Sequence, residues 1–152
     1  MGVVMFYHLT RSSPEETLMM LLTRALAQSW RVMVRGTDPA ALERLDARLW
    51  QGEATAFLPH GLQGGPQDAD QPVLIGTGAI GNEAKGLFLL DGADVTVTEA
   101  QGLERVWLLF DGSDGGQLSA ARGKWKALTD AGLAAQYWSE EGGRWEKKAE
   151  KG

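Results

Sequence analysis

The alternation of apolar segments in the first fifty residues constrains the fold more than any other feature of this chain. Val3 to Leu9 is a short, β-rich apolar run, the pattern of a strand buried on both faces. Ser12 or Ser13 can then cap a helix with Pro14 at its first position and Glu15 and Glu16 in its first turn. Leu18, Leu21, Leu22, Ala25, Leu26 and Trp30 recur at helical spacing, which gives that helix one face to dock on a sheet. Arg31 to Arg35 reads as a second strand, ended by Gly36. Asp38 caps a second helix with Pro39 first, and Ala41, Leu42, Leu45 and Leu49 form its apolar stripe. Strand, helix, strand, helix in this order predicts a parallel α/β layout with right-handed crossovers.

The middle of the chain is less regular. Trp50 is expected to end the second helix, and the turn-rich stretch from Gly61 to Gln71 to be a surface loop. Pro72 to Ile75 and Gly86 to Leu90 read as strands, and Val95 to Thr98 as either a short strand or an extended connection. Val106 to Phe110 is a strong buried strand, Asp111 to Gly116 a loop, and Ala134 to Trp138 can close the sheet. At 152 residues the chain is expected to form one domain over residues 1–140, a three-layer α/β fold with a mostly parallel sheet. Residues 141–152 read as a charged tail.

Composition removes several function classes. With 43% hydrophobic and 23% charged residues the chain is not of the disordered type. Cysteine is absent, which excludes disulfides, thiolate metal sites and a cysteine nucleophile; two histidines, His8 and His60, do not make a multi-histidine metal cage. No apolar run approaches the roughly 20 residues of a membrane span, so a soluble, cytoplasmic protein without a membrane role is expected. Net charge is −5 but uneven. Residues 122–152 hold seven basic against five acidic residues, whereas the preceding part holds eight against fifteen. An acidic body disfavours direct nucleic-acid binding, while a basic end can attract an acidic protein segment.

Two features invite an enzymatic reading. Gly76-Thr-Gly-Ala-Ile-Gly81 is a literal GxGxxG after a strand, and Asp94 or Glu99 lies at the distance of a ribose-binding acid. A nucleotide-dependent enzyme of Rossmann type using Gly76 to Gly81 is therefore an alternative. Against it, only Asn82 to Lys85 separates Gly81 from the next apolar run, too few residues for a crossover helix. The first strand–helix junction, Thr10 to Pro14, lacks the glycines. Neither histidine stands beside a candidate nucleophile and no Gly-x-Ser-x-Gly elbow occurs, so no catalytic residues are assigned.

Ala121 to Leu133 carries the clearest binding signal. On a helix, Arg122, Trp125 and Lys126 share one face, and Leu118, Ala121, Trp125 and Leu128 form an adjoining apolar stripe. Gly132 suits the left-handed residue that ends such a helix. Fixed cations beside an aromatic wall fit a ligand with a carboxylate next to an apolar group. An ordinary amphipathic helix with a solvated basic face has the same pattern. Six tryptophans supply surplus aromatic surface; Trp30 and Trp107 fit the core, while Trp50 can meet Phe57 and Pro59 in an apolar patch or cap a sheet edge.

Phe6-Tyr7-His8-Leu9, Leu45 to Trp50, Phe57-Leu58-Pro59-His60, Lys124-Trp125-Lys126 and Ala131-Gly132-Leu133 occur in one order and spacing. Together they resemble the chi subunit of the bacterial DNA polymerase III holoenzyme, over about residues 3–138. The resemblance implies a single Rossmann-like α/β domain with no nucleotide site, no cofactor and no intrinsic activity. It further implies two protein partners: the acidic C-terminal tail of single-stranded DNA-binding protein, which ends in a phenylalanine carboxylate, and the psi subunit of the clamp loader. By position, Arg122, Trp125 and Lys126 match the tail-binding residues, Leu133 lines the phenylalanine pocket, and Lys124 adds charge from roughly the opposite side of Arg122. Trp50, Phe57 and Pro59 match the psi contacts. A free-standing peptide-binding adaptor would share the tail site without the clamp-loader attachment.

Overall fold

The computed structural model describes residues 3–10, 13–50, 60–65, 68–90, 92–140 and 144–151. β1 (Val3–Leu9), α1 (Pro14–Ala27), β2 (Val32–Arg35) and α2 (Pro39–Trp50) follow the expected alternation closely. Ser13 is the cap of α1, its hydroxyl accepting from the Glu16 N–H, and the Asp38 carboxylate accepts from the Ala40 N–H at the start of α2. β3 (His60–Leu62), β4 (Val73–Gly76), β5 (Gly86–Leu89), α3 (Val97–Gln101), β6 (Arg105–Asp111), α4 (Gly115–Asp130), β7 (Ala134–Ser139) and β8 (Glu146–Lys151) complete the chain.

The eight strands form one sheet in the order β3-β4-β2-β5-β6-β1-β7-β8, and every pairing is parallel except that of β8 with β7. Alternate residues of each strand feed two separate cores. Met5, Tyr7, Val32, Val34, Phe88 and Trp107 pack under α1 and α2; Val4, Phe6, Met33, Leu87, Leu89 and Leu108 pack under α3 and α4. This is the expected three-layer arrangement. Buried Asn82 ties the turn between β4 and β5 to the sheet by donating to the Val32 and Gln71 carbonyls.

Three segments depart from the expectations. Gly61, placed in a surface loop, lies in β3, which pairs with Val73 to Ile75; three residues are too few to carry a readable alternation. Val97–Gln101, within and beyond the stretch expected to be extended, is a helix. Thr96 and Glu99 form a capping box around its first turn, so cap chemistry outweighs the β-branched residues there. Within the stretch read as a charged tail, Glu146–Lys151 forms β8, which pairs with β7 from Ala135 to Ser139. The sheet therefore does not end at β7. An exposed edge strand of glutamates and lysines has no apolar face to announce it, and such charges are how edges avoid pairing with other chains.

Candidate functional site

Helix α4 is fixed at its start by Asp114, whose carboxylate accepts from the Gly116 and Gln117 N–H groups. It ends before Gly132, which takes the expected left-handed conformation with φ of 92°. Ala121 and Leu128 are buried against the sheet, and Leu118 and Trp125 pack at the margin of the same core. The stripe read from the sequence is thus the docking face, and it orients the rest of the helix.

Trp125 is half-buried and wedged between two rings. Its indole meets Phe6 of β1 edge-on with centroids 5.3 Å apart, and Tyr137 of β7 at 6.1 Å. Tyr137 is held in turn by a 2.7 Å hydrogen bond between its hydroxyl and His8 Nδ1. The indole therefore has a set orientation, with its outer edge at the surface. Arg122 and Lys126 flank it on the exposed side of α4. Lys126 makes an ion pair with Asp130 at 3.1 Å, with both side chains largely in solvent. Lys124 projects along the other flank, its ammonium 3.5 Å from the Gly92 carbonyl. Leu133 is only 2% exposed and belongs to the core layer under α4. The structure thus gathers Arg122, Trp125 and Lys126 on one face and leaves Lys124 and Leu133 off it.

Tyr137 is the neighbour that sequence reading missed. Tyr137 and Trp138 alternate across the sheet, and the one facing α4 is known only from the pairing of β7 with β1, where Phe6 lies opposite Tyr137. Phe57 and Pro59, and the side chain of Trp50, lie outside the described residues.

The glycine loop does not form a phosphate cradle. Gly76 ends β4, residues 77–85 contain no helix, and β5 begins at Gly86. The Gly78 N–H, which a phosphate would need, is already bonded to the Gln63 side chain, whose amide also donates to the Ala79 carbonyl. The candidate acid Glu99 is engaged by Arg35 at 2.8 Å and by the Thr96 cap. That hydrogen bond from Arg35 holds the Glu99 carboxyl below its ordinary pKa. Among the described residues no group of three or more His, Cys, Asp or Glu is placed to hold a metal ion, and no helix is long and apolar enough to cross a membrane.

Comparison with known proteins adds an independent observation. The family described as "DNA polymerase III chi subunit, HolC" matches residues 1–136. A DNA polymerase III subunit chi from Pseudomonas aeruginosa is 35% identical over 76 residues, covering 48% of this chain and 52% of that protein. The match thus spans about half the length of that relative.

Proposed function

Because the chain belongs to the DNA polymerase III chi subunit family, we propose that it is a non-catalytic accessory subunit of a replicative polymerase, one that captures the acidic C-terminal tail of single-stranded DNA-binding protein. The observation that carries this reading is the exposed cation pair of Arg122 and Lys126 beside an indole locked between Phe6 and Tyr137. Arg122 and Lys126 meet the terminal carboxylate and the acidic side chains of the tail, and Trp125 receives its apolar end. Leu133 acts from the core layer on which α4 packs, and Lys124 adds to the field without touching the tail. Exposed ion pairs contribute about 0–1 kcal/mol each and weaken with salt, so the apolar anchor carries most of the affinity.

The same reading assigns attachment to the clamp loader, through a psi subunit, to Trp50, Phe57 and Pro59. These residues fall within the span matched by the family, and tryptophan and phenylalanine are residue types enriched at protein interfaces.

The test is a titration with a peptide ending in Asp-Phe, at low and high salt, against the same peptide lacking the phenylalanine. Binding that needs the phenylalanine and falls with salt is expected. An intact peptide that fails to bind at low salt overturns the reading.

A further inference from the structure

A cavity of about 250 Å³ opens on the opposite side of the sheet from α4, between α1 and the strands β1, β6 and β7. Its walls include Trp30, Trp107, Trp138 and Trp145, four of the six tryptophans, and two guanidinium groups, Arg24 and Arg105, also face it. Arg105 is the first residue of β6 and is half-buried. Its guanidinium lies over the Trp30 ring at 5.5 Å and over the Trp107 ring at 5.8 Å. Its Nε is shielded from solvent and has no hydrogen-bond partner among the described residues. Neither arginine makes an ion pair among the described residues.

A half-buried cation lying over two indoles, with a donor unsatisfied and no carboxylate paired with it among the described residues, is unusual in a chain of net charge −5. The two cation–π contacts hold the guanidinium beside the indoles, which leaves its remaining donors available for a planar anion. Both positive groups are felt in the cavity. Tyr7, which lines it, has its hydroxyl pKa raised by burial, and Arg105 and Arg24 act in the opposite sense. The volume is below the roughly 300 Å³ at which pockets for drug-sized ligands begin, and so fits one ring with a short acidic arm.

We infer that this cavity is a binding site for a carboxylate joined to a flat apolar group, with Arg105 and Arg24 holding the carboxylate and the tryptophans enclosing the ring. A carboxylate is favoured over a nucleotide because the lining offers few acceptors to read the edges of a base: beside the indole N–H donors, the neutral polar groups among the described side chains are Gln28 and the Tyr7 hydroxyl. The site stands apart from the proposed tail contact on α4, which belongs to the other face of the sheet, and does not rest on it.

The experiment is a titration of the whole chain with 3-phenylpropionate, followed through its tryptophan indole N–H resonances. Shifts are expected at Trp30, Trp107, Trp138 and Trp145, while Trp125 on α4 reports separately on the proposed tail contact. The neutral alcohol 3-phenylpropan-1-ol should bind at least several-fold more weakly. Arg105→Gln should abolish that preference for the acid, and Arg105→Lys should retain part of it. Because Arg105 is half-buried, the Arg24→Gln variant, which alters an exposed residue, provides a second reading of the same preference. A peptide ending in phenylalanine that shifts the same four indoles identifies a chain terminus as the source of the ligand. Shifts with the free acid alone identify a small molecule. Shifts confined to Trp125, equal binding of acid and alcohol, or stronger binding of adenosine monophosphate than of the acid would each overturn the proposal.

Discussion

The indole of Trp107 lies across Gly86, so that a β-carbon at that glycine would overlap the ring. Gly86 opens β5 and Trp107 sits in the neighbouring β6, where the ring stacks on Phe88 with centroids 4.1 Å apart and planes only 7° from parallel. The missing side chain is therefore a packing requirement of the core under α1, and it also sets one wall of the cavity that holds Arg105.

Gly86→Ala should accordingly destabilise the fold. Overpacking a buried site of this kind costs about 1–3 kcal/mol, readable as a lower urea midpoint with an unchanged slope. Trp107 fluorescence should shift with it, since the ring must move to admit the methyl group. A variant as stable as the parent would mean that the glycine is not required by the indole.

The ion pair of Arg35 and Glu99 predicts how stability responds to acid. Arg35 is buried in the sheet and also donates to the Gly78 and Asp94 carbonyls, while Glu99 remains partly exposed. Glu99 titrates below its ordinary value near 4.5 because the guanidinium bonds to its charged form. Above that ordinary value the carboxylate is charged in both the folded and the unfolded chain, and the pair contributes fully. As pH falls, the unfolded chain takes up the proton first, and the contribution is gone once pH has passed the lowered folded value. Glu99→Gln should therefore flatten part of the acid limb of stability as pH falls through and below the ordinary carboxylate range, by about 0.5–1 kcal/mol given the exposure of the carboxylate. Parallel acid limbs for parent and variant would refute the assignment.

Much of this architecture was legible because burial on both faces leaves strong signals. Val3–Leu9 and the Val106–Phe110 stretch of β6, at the centre of the sheet, are strongly apolar runs, and the stripes of α1, α2 and α4 include buried Leu18, Leu22, Leu42, Leu45, Ala121 and Leu128. Edges were illegible for the corresponding reason. β8 is held by backbone pairing and by cross-strand polar contacts such as Gln136 to Glu150, which no hydrophobic period reveals. α3 carries its information in one local motif, Thr96 with Glu99. For the candidate site, helical spacing alone placed Arg122, Trp125 and Lys126 together. It did not place Tyr137, which needs the register between β1 and β7, or disclose that Leu133 is buried.

Charge reversal at Arg122 or Lys126 should separate binding from folding. Arg122 is exposed, and the pair of Lys126 with Asp130 is an exposed contact between successive helix turns, the kind that contributes about 0.3–0.5 kcal/mol. Arg122→Glu or Lys126→Glu should thus change the urea midpoint little. Each should weaken binding of the Asp-Phe peptide by about three- to tenfold at low salt, a loss of about 0.7–1.4 kcal/mol as an attractive contact becomes a repulsive one. The gap between variant and parent should narrow in high salt. Unchanged affinity in both variants at low salt would remove α4 as the tail site.

Asp130 supplies the converse case. Its carboxylate lies 3.1 Å from the Lys126 ammonium, so the free protein already holds an anion where the tail would place one. Binding must then exchange one exposed ion pair for another, which reduces what Lys126 can contribute to affinity. Asp130→Asn removes the competitor and adds one positive unit to the net charge of this face. Affinity for the acidic peptide should rise by about two- to threefold at low salt and return to the parent value at high salt. In Lys126→Glu the same change should have much less effect, because the competition acts through Lys126. Equal gains in both backgrounds would show that Asp130 acts through the general field of the helix and does not compete for that lysine.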